Sequence, residues 1–381
     1  MTARVAVAGV HGHGASHVRN VARLAEAGRA RLVAVADPRP AEDLPPDVQV
    51  FAGLDELLAA TEVDVVIIST PIQTHLPLAT LAMRAGADVL LEKPPTASLA
   101  EFEQLSAVVA ETGRACQVGF QAQASAATLT LAELMADGRL GEIRGISAVG
   151  KWVRKAQYFQ RARWAGRRTL DGVAVVDGAV TNPLAHSTAA ALLLDGSPGA
   201  DDVRSVETEL FRANAIESDD TSTVRIVTGR GTTILIAVTL CAAEHLEPQV
   251  IVHGSTGRAV LKYASDTLEL PDGSVEKYDR EDLLENLLAH RADPAVPLYC
   301  PLSATGGFTR VVEAVRVAEA PAEIPEALVR WEGEGLERHP IVLDVEQWID
   351  RASDELALFS ELGAPWTSQS KRENHDAEPR L

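Results

Sequence analysis

The chain has 381 residues, of which 46% are hydrophobic and 23% charged. That balance excludes a disordered, collagenous or low-complexity polypeptide. Thirty-five basic residues against 54 acidic ones leave a formal charge of −19, which argues against a nucleic-acid binder, whose footprint is a basic face.

In chain order, the first ~120 residues alternate strand and helix signals at the spacing of a parallel, doubly wound sheet. Arg4 to Ala8 reads as a short buried strand ended by Gly9. Ala15 to Ala27 reads as a helix with Val18, Val21, Ala22 and Ala25 on one face. Leu32 to Ala36 is a second strand, Leu54 to Ala60 a short helix, and Val63 to Ser69 the clearest buried strand. A helix over Leu76 to Ala85 and a strand over Val89 to Leu91 follow. Ser98 and Glu101 form a capping-box pattern that opens a helix to about Glu111, and Cys116 to Phe120 is a further strand. After Gln121 the rhythm changes. A helix is predicted over Ala126 to Ala136, a long strand over Ile143 to Val153, and a helix opened by Asn182-Pro183 with Asn at the N-cap. Short β-rich runs dominate Val203 to Leu270 with hairpin-type breaks, so their pairing is expected to be antiparallel. Helices over Thr309 to Ala318 and Val345 to Leu362 close the pattern. The expected organisation is a Rossmann-type domain over 1–121, an α+β domain over 122–366, and a polar, disordered tail over 367–381.

Cys116, Cys241 and Cys300 are far apart and form no CxxC pair, so neither a disulfide framework nor a cysteine zinc site is indicated. No segment reads as a targeting or membrane-spanning element: the longest apolar run, Ile234 to Ala243, is far short of the ~20 residues a bilayer needs. A cytoplasmic setting with no membrane or nucleic-acid partner is expected.

Gly9-Val10-His11-Gly12-His13-Gly14 lies between the first strand and the first helix, where a dinucleotide phosphate binds on free backbone N–H groups at the helix start. His11 occupies the place of the second glycine in G-x-G-x-x-G. Asp37, at the end of the second strand, is placed to accept hydrogen bonds from ribose hydroxyls and to repel a 2′-phosphate. NAD is therefore favoured, and Arg39 leaves NADP open. The competing reading is an α/β turn of other purpose with Asp37 as a loop acid. His11, His13 and His17 could suggest a metal, but no carboxylate completes a set in the sequence, and no metal is expected.

Ser69-Thr70-Pro71, then His75, then Glu92-Lys93-Pro94, following such an opening, resembles the Gfo/Idh/MocA family (glucose–fructose oxidoreductase and inositol 2-dehydrogenase-like). The resemblance runs over residues 4–121 and more loosely over 122–320. It implies an NAD(P)-binding Rossmann domain followed by an α+β domain with an open, mostly antiparallel sheet. It also implies hydride transfer between nicotinamide and a secondary alcohol of a sugar, sugar acid or cyclitol. On this resemblance Lys93 is the catalytic lysine. His186 matches the histidine of an Asp-x-x-x-His motif, with Asn182 standing where the family has Asp. Ser69, Thr70, Pro71, His75, Glu92 and Gln121 would border the cofactor. The arginine that often follows in the family is replaced by Ala122, Gln123 and Ala124.

The chemistry of the residues agrees. Hydride leaves an alcohol carbon as the hydroxyl proton is removed, which suits a base of near-neutral pKa such as His186 and a lysine of lowered pKa. Asn can orient a hydroxyl but cannot carry a proton, and it is also among the best helix caps. Arg161, Arg163, Arg167 and Arg168 bracket Trp164, which suits a sugar acid or another anionic polyol; a solvated loop or a subunit contact is the structural alternative. Gly254-Ser255-Thr256-Gly257 resembles a family turn between sheet strands. An open sheet face is costly in water, so a homodimer or homotetramer through the second-domain sheet is expected. Two further functional readings stand: a cofactor-recycling enzyme that eliminates or epimerises after oxidation, and a non-catalytic dinucleotide sensor.

Overall fold

The computed structural model describes residues 2–41 and 44–367; the tail expected over 367–381 lies outside them except for Thr367. The N-terminal part is a parallel sheet of β1 (Ala3–Ala8), β2 (Ala30–Ala36), β3 (Gln49–Phe51), β4 (Val65–Ile68), β5 (Asp88–Leu91) and β6 (Cys116–Val118). Its spatial order is β3-β2-β1-β4-β5-β6. Helices α1 (Gly14–Glu26), α2 (Leu54–Ala60), α3 (His75–Arg84) and α4 (Leu99–Thr112) connect the strands. The order reverses between β1 and β4, so a crevice opens outside their carboxyl ends, where such sheets bind ligands. The strands are short apolar runs because both faces are covered. Val65, Val66, Ile67 and Ile68, for example, are each 0% exposed. The predicted cap holds: the Ser98 side chain accepts from the Glu101 amide at 3.2 Å, and Glu101 reaches back to the Ala97 amide at 3.0 Å.

The second part is a nine-stranded mixed sheet. After α5 (Ala126–Ala136) come β7 (Ile143–Lys151), the short α6 (Ala156–Gln160), a two-stranded ribbon of β8 (Thr169–Leu170) and β9 (Val173–Ala174), and α7 (Ala185–Asp195). The remaining strands are β10 (Val203–Arg212), β11 (Thr221–Thr228), β12 (Thr233–Thr239), β13 (Gln249–Gly254), β14 (Gly257–Lys262), β15 (Thr267–Glu269) and β16 (Val275–Lys277). Beyond α8 (Leu283–Ala292) and α9 (Gly306–Val317), β17 (Ala322–Glu323) completes the order β16-β15-β14-β13-β7-β12-β11-β10-β17. Only β7–β12 and β10–β17 are parallel. Residues 254–257 are the turn of the β13–β14 hairpin, the structural role expected for them.

Three features depart from the sequence reading. First, α8 was not assigned from the sequence. Its Leu283, Leu284, Leu287 and Leu288 pack with Val5, Val7 and Val21, so the chain returns from the second sheet to the first. Second, helix α7 begins at Ala185, with Leu184 at its cap. Asn182 therefore caps no helix; it lies in the turn before α7, where Thr181 Oγ1 accepts from the Gly178 amide at 3.1 Å.

Third, both faces of the nine-stranded sheet are covered within the chain. Ile234, Ile236 and Val238 pack on the side of Leu184, Ala189 and Leu192. Leu235 and Ala237, alternating with them, pack against a C-terminal layer. That layer contains the hairpin β18 (Val329–Glu332) and β19 (His339–Val342), then α10 (Val345–Glu355) and α11 (Phe359–Leu362). The single helix predicted over Val345 to Leu362 is thus two, broken at Leu356, which adopts a left-handed φ of 51°. Val345, Ile349, Ala352, Phe359 and Trp366 are each 0–1% exposed against Val149, Leu235 and Ile251. The expected subunit pairing rested on this face being open, and among the described residues it is covered in cis.

Candidate active site

The glycine loop follows β1. A side-chain carbon at Gly9 (φ +82°) would lie 2.4 Å from the Ser69 carbonyl oxygen, and one at Gly14 only 1.9 Å from the carbonyl oxygen of Gly9. Close packing of the loop, β4 end and helix start therefore requires glycine at both positions. Gly12 turns with φ +59°. Asp37, 6% exposed, accepts from the Val10 amide at 3.1 Å and from the Arg39 amide at 3.0 Å. Burial would raise its pKa, but these bonds and the Arg39 side chain hold it below its ordinary value. A carboxylate offers about four lone-pair sites, so Asp37 keeps capacity for ribose hydroxyls. His11 Nε2 lies 3.9 Å from Asp37 Oδ1, closed to solvent and without a hydrogen-bond partner. A glycine cradle, an orphaned polar atom and a carboxylate at the second strand end fit a dinucleotide.

Ser69 and Thr70 abut Gly9, and Pro71 is exposed at the rim. His75 does not border the crevice. It is 1% exposed, with Nδ1 2.8 Å from the Pro94 carbonyl and Nε2 2.9 Å from the Thr70 carbonyl. It braces two loops, and burial lowers its pKa. Gln121 opens the turn between the two sheets, half-buried; Gln123 beside it is 1% exposed with neither amide atom partnered.

Glu92, at the end of β5, corrects one expectation. The sequence offered no carboxylate for the loop histidines, but the fold places Glu92 Oε1 2.8 Å from His17 Nε2 and 3.2 Å from His13 Nε2. Donor atoms of the three residues lie within 4.8 Å of one another. Burial would raise the Glu92 pKa; the two histidines outweigh it and hold the carboxyl well below its usual range. Glu92 in turn raises the pKa of His13.

Lys93 is half-buried. Its Nζ donates to Asn182 twice, to Oδ1 at 2.7 Å and to the carbonyl at 2.8 Å. Asn182 Nδ2 donates to Asp177 Oδ1, so its amide orientation is set by a donor on one side and an acceptor on the other. Asp177 is 5% exposed, and its Oδ2 accepts from the Gly166 amide at 2.7 Å and from Arg161 Nη2 at 3.2 Å. Val176, just before it, takes a φ of +44° that β-branched residues rarely adopt, held by packing with Leu210 and Val315. The acid missing at position 182 is thus supplied five residues earlier through a strained bend. The sequence signal was an acid closing the apolar run Val173–Val176, and it went unread. Burial lowers the Lys93 pKa; Glu92 and Asp177 oppose this, while Arg161 and Arg154 add to it.

His186 stands on α7, edge-on to Phe120 at 5.5 Å and 6.1 Å from the Tyr263 ring. Burial, reinforced by the Lys93 charge, pushes its pKa down to about 3. Burial beside the Lys93 charge thus favours the uncharged imidazole of His186, the form that can accept a proton.

The four arginines of the 161–168 loop are not a common anion clamp. Arg163 pairs with Asp171 at 3.1 Å and Arg167 with Glu217 at 3.7 Å. Arg168 donates to carbonyls at the end of α9, including Val315 and Ala318. Only Arg161 reaches the site, and it packs over Trp164 at 4.5 Å.

The family profile described as an oxidoreductase family with an NAD-binding Rossmann fold matches residues 3–120, and that of the GFO/IDH/MocA C-terminal domain matches residues 128–260. The chain belongs to the Gfo/Idh/MocA oxidoreductase family. It is 30% identical over 238 residues to the uncharacterized oxidoreductase YdgJ of Escherichia coli (strain K12), covering 62% of this chain and 64% of the relative. To inositol 2-dehydrogenase of Rhizobium meliloti (strain 1021) it is 30% identical over 159 residues, 40% of this chain and 46% of that protein. The matches thus span less than two thirds of these curated relatives. In fold the chain is similar to the WlbA dehydrogenase of Bordetella pertussis, crystallised with NADH and UDP-GlcNAcA. The TM-score is 0.69 at 22% identity, over 83% of this chain and 95% of that one. Within the family frame the glycine loop and Asp37 belong to the NAD-binding domain, and the 182–186 segment belongs to the C-terminal domain. No helix among the described residues is long and apolar enough to cross a membrane.

Proposed function

We propose that this protein is an NAD-dependent dehydrogenase acting on a secondary alcohol of a sugar, sugar acid or cyclitol. The observation that carries the reading is the chain Lys93–Asn182–Asp177, anchored at the carboxyl end of β5 beside the glycine loop and facing His186. A half-buried lysine tied to a buried carboxylate through an oriented amide is costly to keep and suits proton handling. Bound NAD supplies the hydride acceptor or donor; the protein supplies geometry and electrostatics. Gly9, Gly12, Gly14 and Asp37 would hold it, with Ser69 and Thr70 at the rim.

Lys93, its pKa lowered by burial, takes the alcohol proton in the direction of oxidation and returns it in reduction. His186, neutral, accepts or donates one hydrogen bond and orients the hydroxyl. Asn182 fixes Nζ in place, and the Asp177 charge behind it keeps the protonated form of Lys93 accessible. Of the two groups expected to handle the proton, Lys93 carries it in this reading and His186 orients the hydroxyl.

The test starts with purified protein titrated with NAD⁺ and NADP⁺ by thermal shift, since a ligand of the folded state raises its melting temperature. A screen of polyols, sugars and sugar acids at 340 nm follows. The expected result is a larger shift with NAD⁺, and turnover lost by a factor of ~10² or more in Lys93→Ala. Full turnover in Lys93→Ala, or binding of neither dinucleotide, would sink the reading. Bound NAD that never exchanges, with turnover but no net NADH, would replace it by the cofactor-recycling one.

A further inference from the structure

Beside the Lys93–Asn182–Asp177 chain the structure holds a run of aromatic rings with two arginines set over them. The His245 ring stacks on Trp152 at 5.1 Å and 20°. The Arg154 guanidinium lies 4.4 Å from the Trp152 ring and 4.8 Å from the Tyr158 ring. Arg161 lies 3.7 Å from Tyr158 and 4.5 Å from Trp164. An arginine held over rings by cation–π contact keeps N–H groups for hydrogen bonding, and its planar fork matches carboxylate and phosphate.

The two arginines of the stack differ in one respect. Arg161 has a carboxylate, Asp177. Arg154 has none within 4 Å among the described residues: its Nε is unpartnered, and Nη1 makes one long contact of 3.5 Å to the Val153 carbonyl. Its one side-chain hydrogen-bond partner is the Tyr158 hydroxyl, which is not an acid at neutral pH, since burial raises its pKa to about 12. A second donor in the same stack, Trp152 Nε1, is also without a partner. Three cations, Lys93, Arg154 and Arg161, thus share one neighbourhood with two acids that already have partners, Asp177 with Arg161 and Asn182, and Glu92 with His13 and His17. Half-buried like charges repel unless an anion joins them.

We infer that Arg154, held by Trp152 and Tyr158, is a subsite for an anionic group, carboxylate or phosphate, carried by the sugar whose alcohol reaches Lys93. This rests on the proposed dehydrogenase reading and narrows its substrate to an acidic sugar. It also moves the anion site away from Arg163 and Arg167, whose acids are already in place.

The experiment uses NAD⁺-loaded full-length protein titrated calorimetrically with D-glucuronate, D-glucose 6-phosphate, D-glucose and inorganic phosphate. The same series is run on Arg154→Gln, Arg154→Lys and, as a surface control, Arg163→Gln. At least one anion should bind, glucose at least tenfold more weakly. The binding should fall at least tenfold in Arg154→Gln and stay unchanged in Arg163→Gln. Arg154→Lys keeps the charge without the fork and should recover only part of it. Glucuronate or the phosphates as the better ligand tells which anion the subsite takes. Equal binding in wild type and Arg154→Gln, or no anion binding in the wild type, overturns the subsite. So does weaker NAD⁺ binding in Arg154→Gln, because the arginine would then belong to the cofactor. Wild type that takes no NAD⁺ overturns the dehydrogenase reading instead; the anion titrations on the free protein then judge the subsite alone. The melting temperature of each variant without ligand separates lost binding from lost folding.

Discussion

At the scale of single residues, Asn182 shows how a motif departure is repaired in three dimensions. An amide cannot hold a charge, yet its Oδ1 faces Lys93 and its Nδ2 faces Asp177, so the charge acts one hydrogen bond further away. The Asp177 carboxylate raises the Lys93 pKa against the lowering by burial. Removing that charge in Asp177→Asn lowers the Lys93 pKa further. The rising limb of kcat/KM for alcohol oxidation should then move to lower pH, with a loss of about tenfold or more in kcat. Adding Asn182→Asp to that variant places a carboxylate directly against Nζ and should bring back both limb and rate; a merely structural role for Asp177 would show neither response in the pH profile. Asp37 supports a second prediction. It repels a 2′-phosphate, and Arg39, its side chain 66% exposed, is free to meet one. Asp37→Ser should therefore shift the NAD⁺ to NADP⁺ preference toward NADP⁺ by about tenfold, 1.4 kcal/mol, read from dissociation constants by fluorescence titration.

Among elements, α8 ties the second part of the chain to the first. Its Leu284 is 0% exposed, and Arg291 reaches Asp64 at 3.0 Å and Asp88. Leu284→Ala should cost about 2–5 kcal/mol in urea unfolding. Arg4, bonded to Asp64, and then Arg291 hold the Asp64 pKa down to about 2. Because the folded pKa is depressed, the stability from Asp64 is present above its unfolded value near 3.9 and lost as pH falls toward 2. Asp64→Asn should flatten the stability curve in that window and leave the remaining acid sensitivity unchanged. Had α8 been a surface helix, Leu284→Ala would not alter stability beyond about 0.5 kcal/mol.

For the whole molecule, the C-terminal layer decides what the nine-stranded sheet can do. Ile349 is 0% exposed and Trp366 1%, and both press on the face of β7, β12 and β13. Ile349→Asp buries an unpaired charge there and should lift the layer. The freed strip of Val149, Leu235, Ala237 and Ile251 would then meet water. The expected result is concentration-dependent self-association of the variant in light scattering after size exclusion. The unaltered chain should show no concentration-dependent change in hydrogen exchange over Val345–Glu355, whatever its assembly state. Faster exchange there on dilution would mean that a second subunit, rather than this layer, closes the face.

Much of this protein was legible as sequence because local rules sufficed. Alternating apolar runs and helix stops defined the parallel sheet, and Ser98 with Glu101 defined a helix start. Gly9 and Gly14 declared a tight strand-to-helix turn, and Lys93 declared itself by its place after a buried strand. What only the tertiary structure decided were contacts between residues far apart in the chain. Whether Asn182 caps a helix or orients a lysine depends on a bend at Val176 whose cause is packing from β10 and α9. Whether an arginine is spent or available depends on the acids folded beside it, which is why Arg163 and Arg167 are paired and Arg154 is not. Glu92 joined His17 from 75 residues away, and His13 with it. The sheet face read as open was covered by residues beyond 321, whose short, interrupted apolar pattern gives no hint of the surface it matches. Periodicity reports which face of an element is apolar; only the assembled fold selects what that face meets.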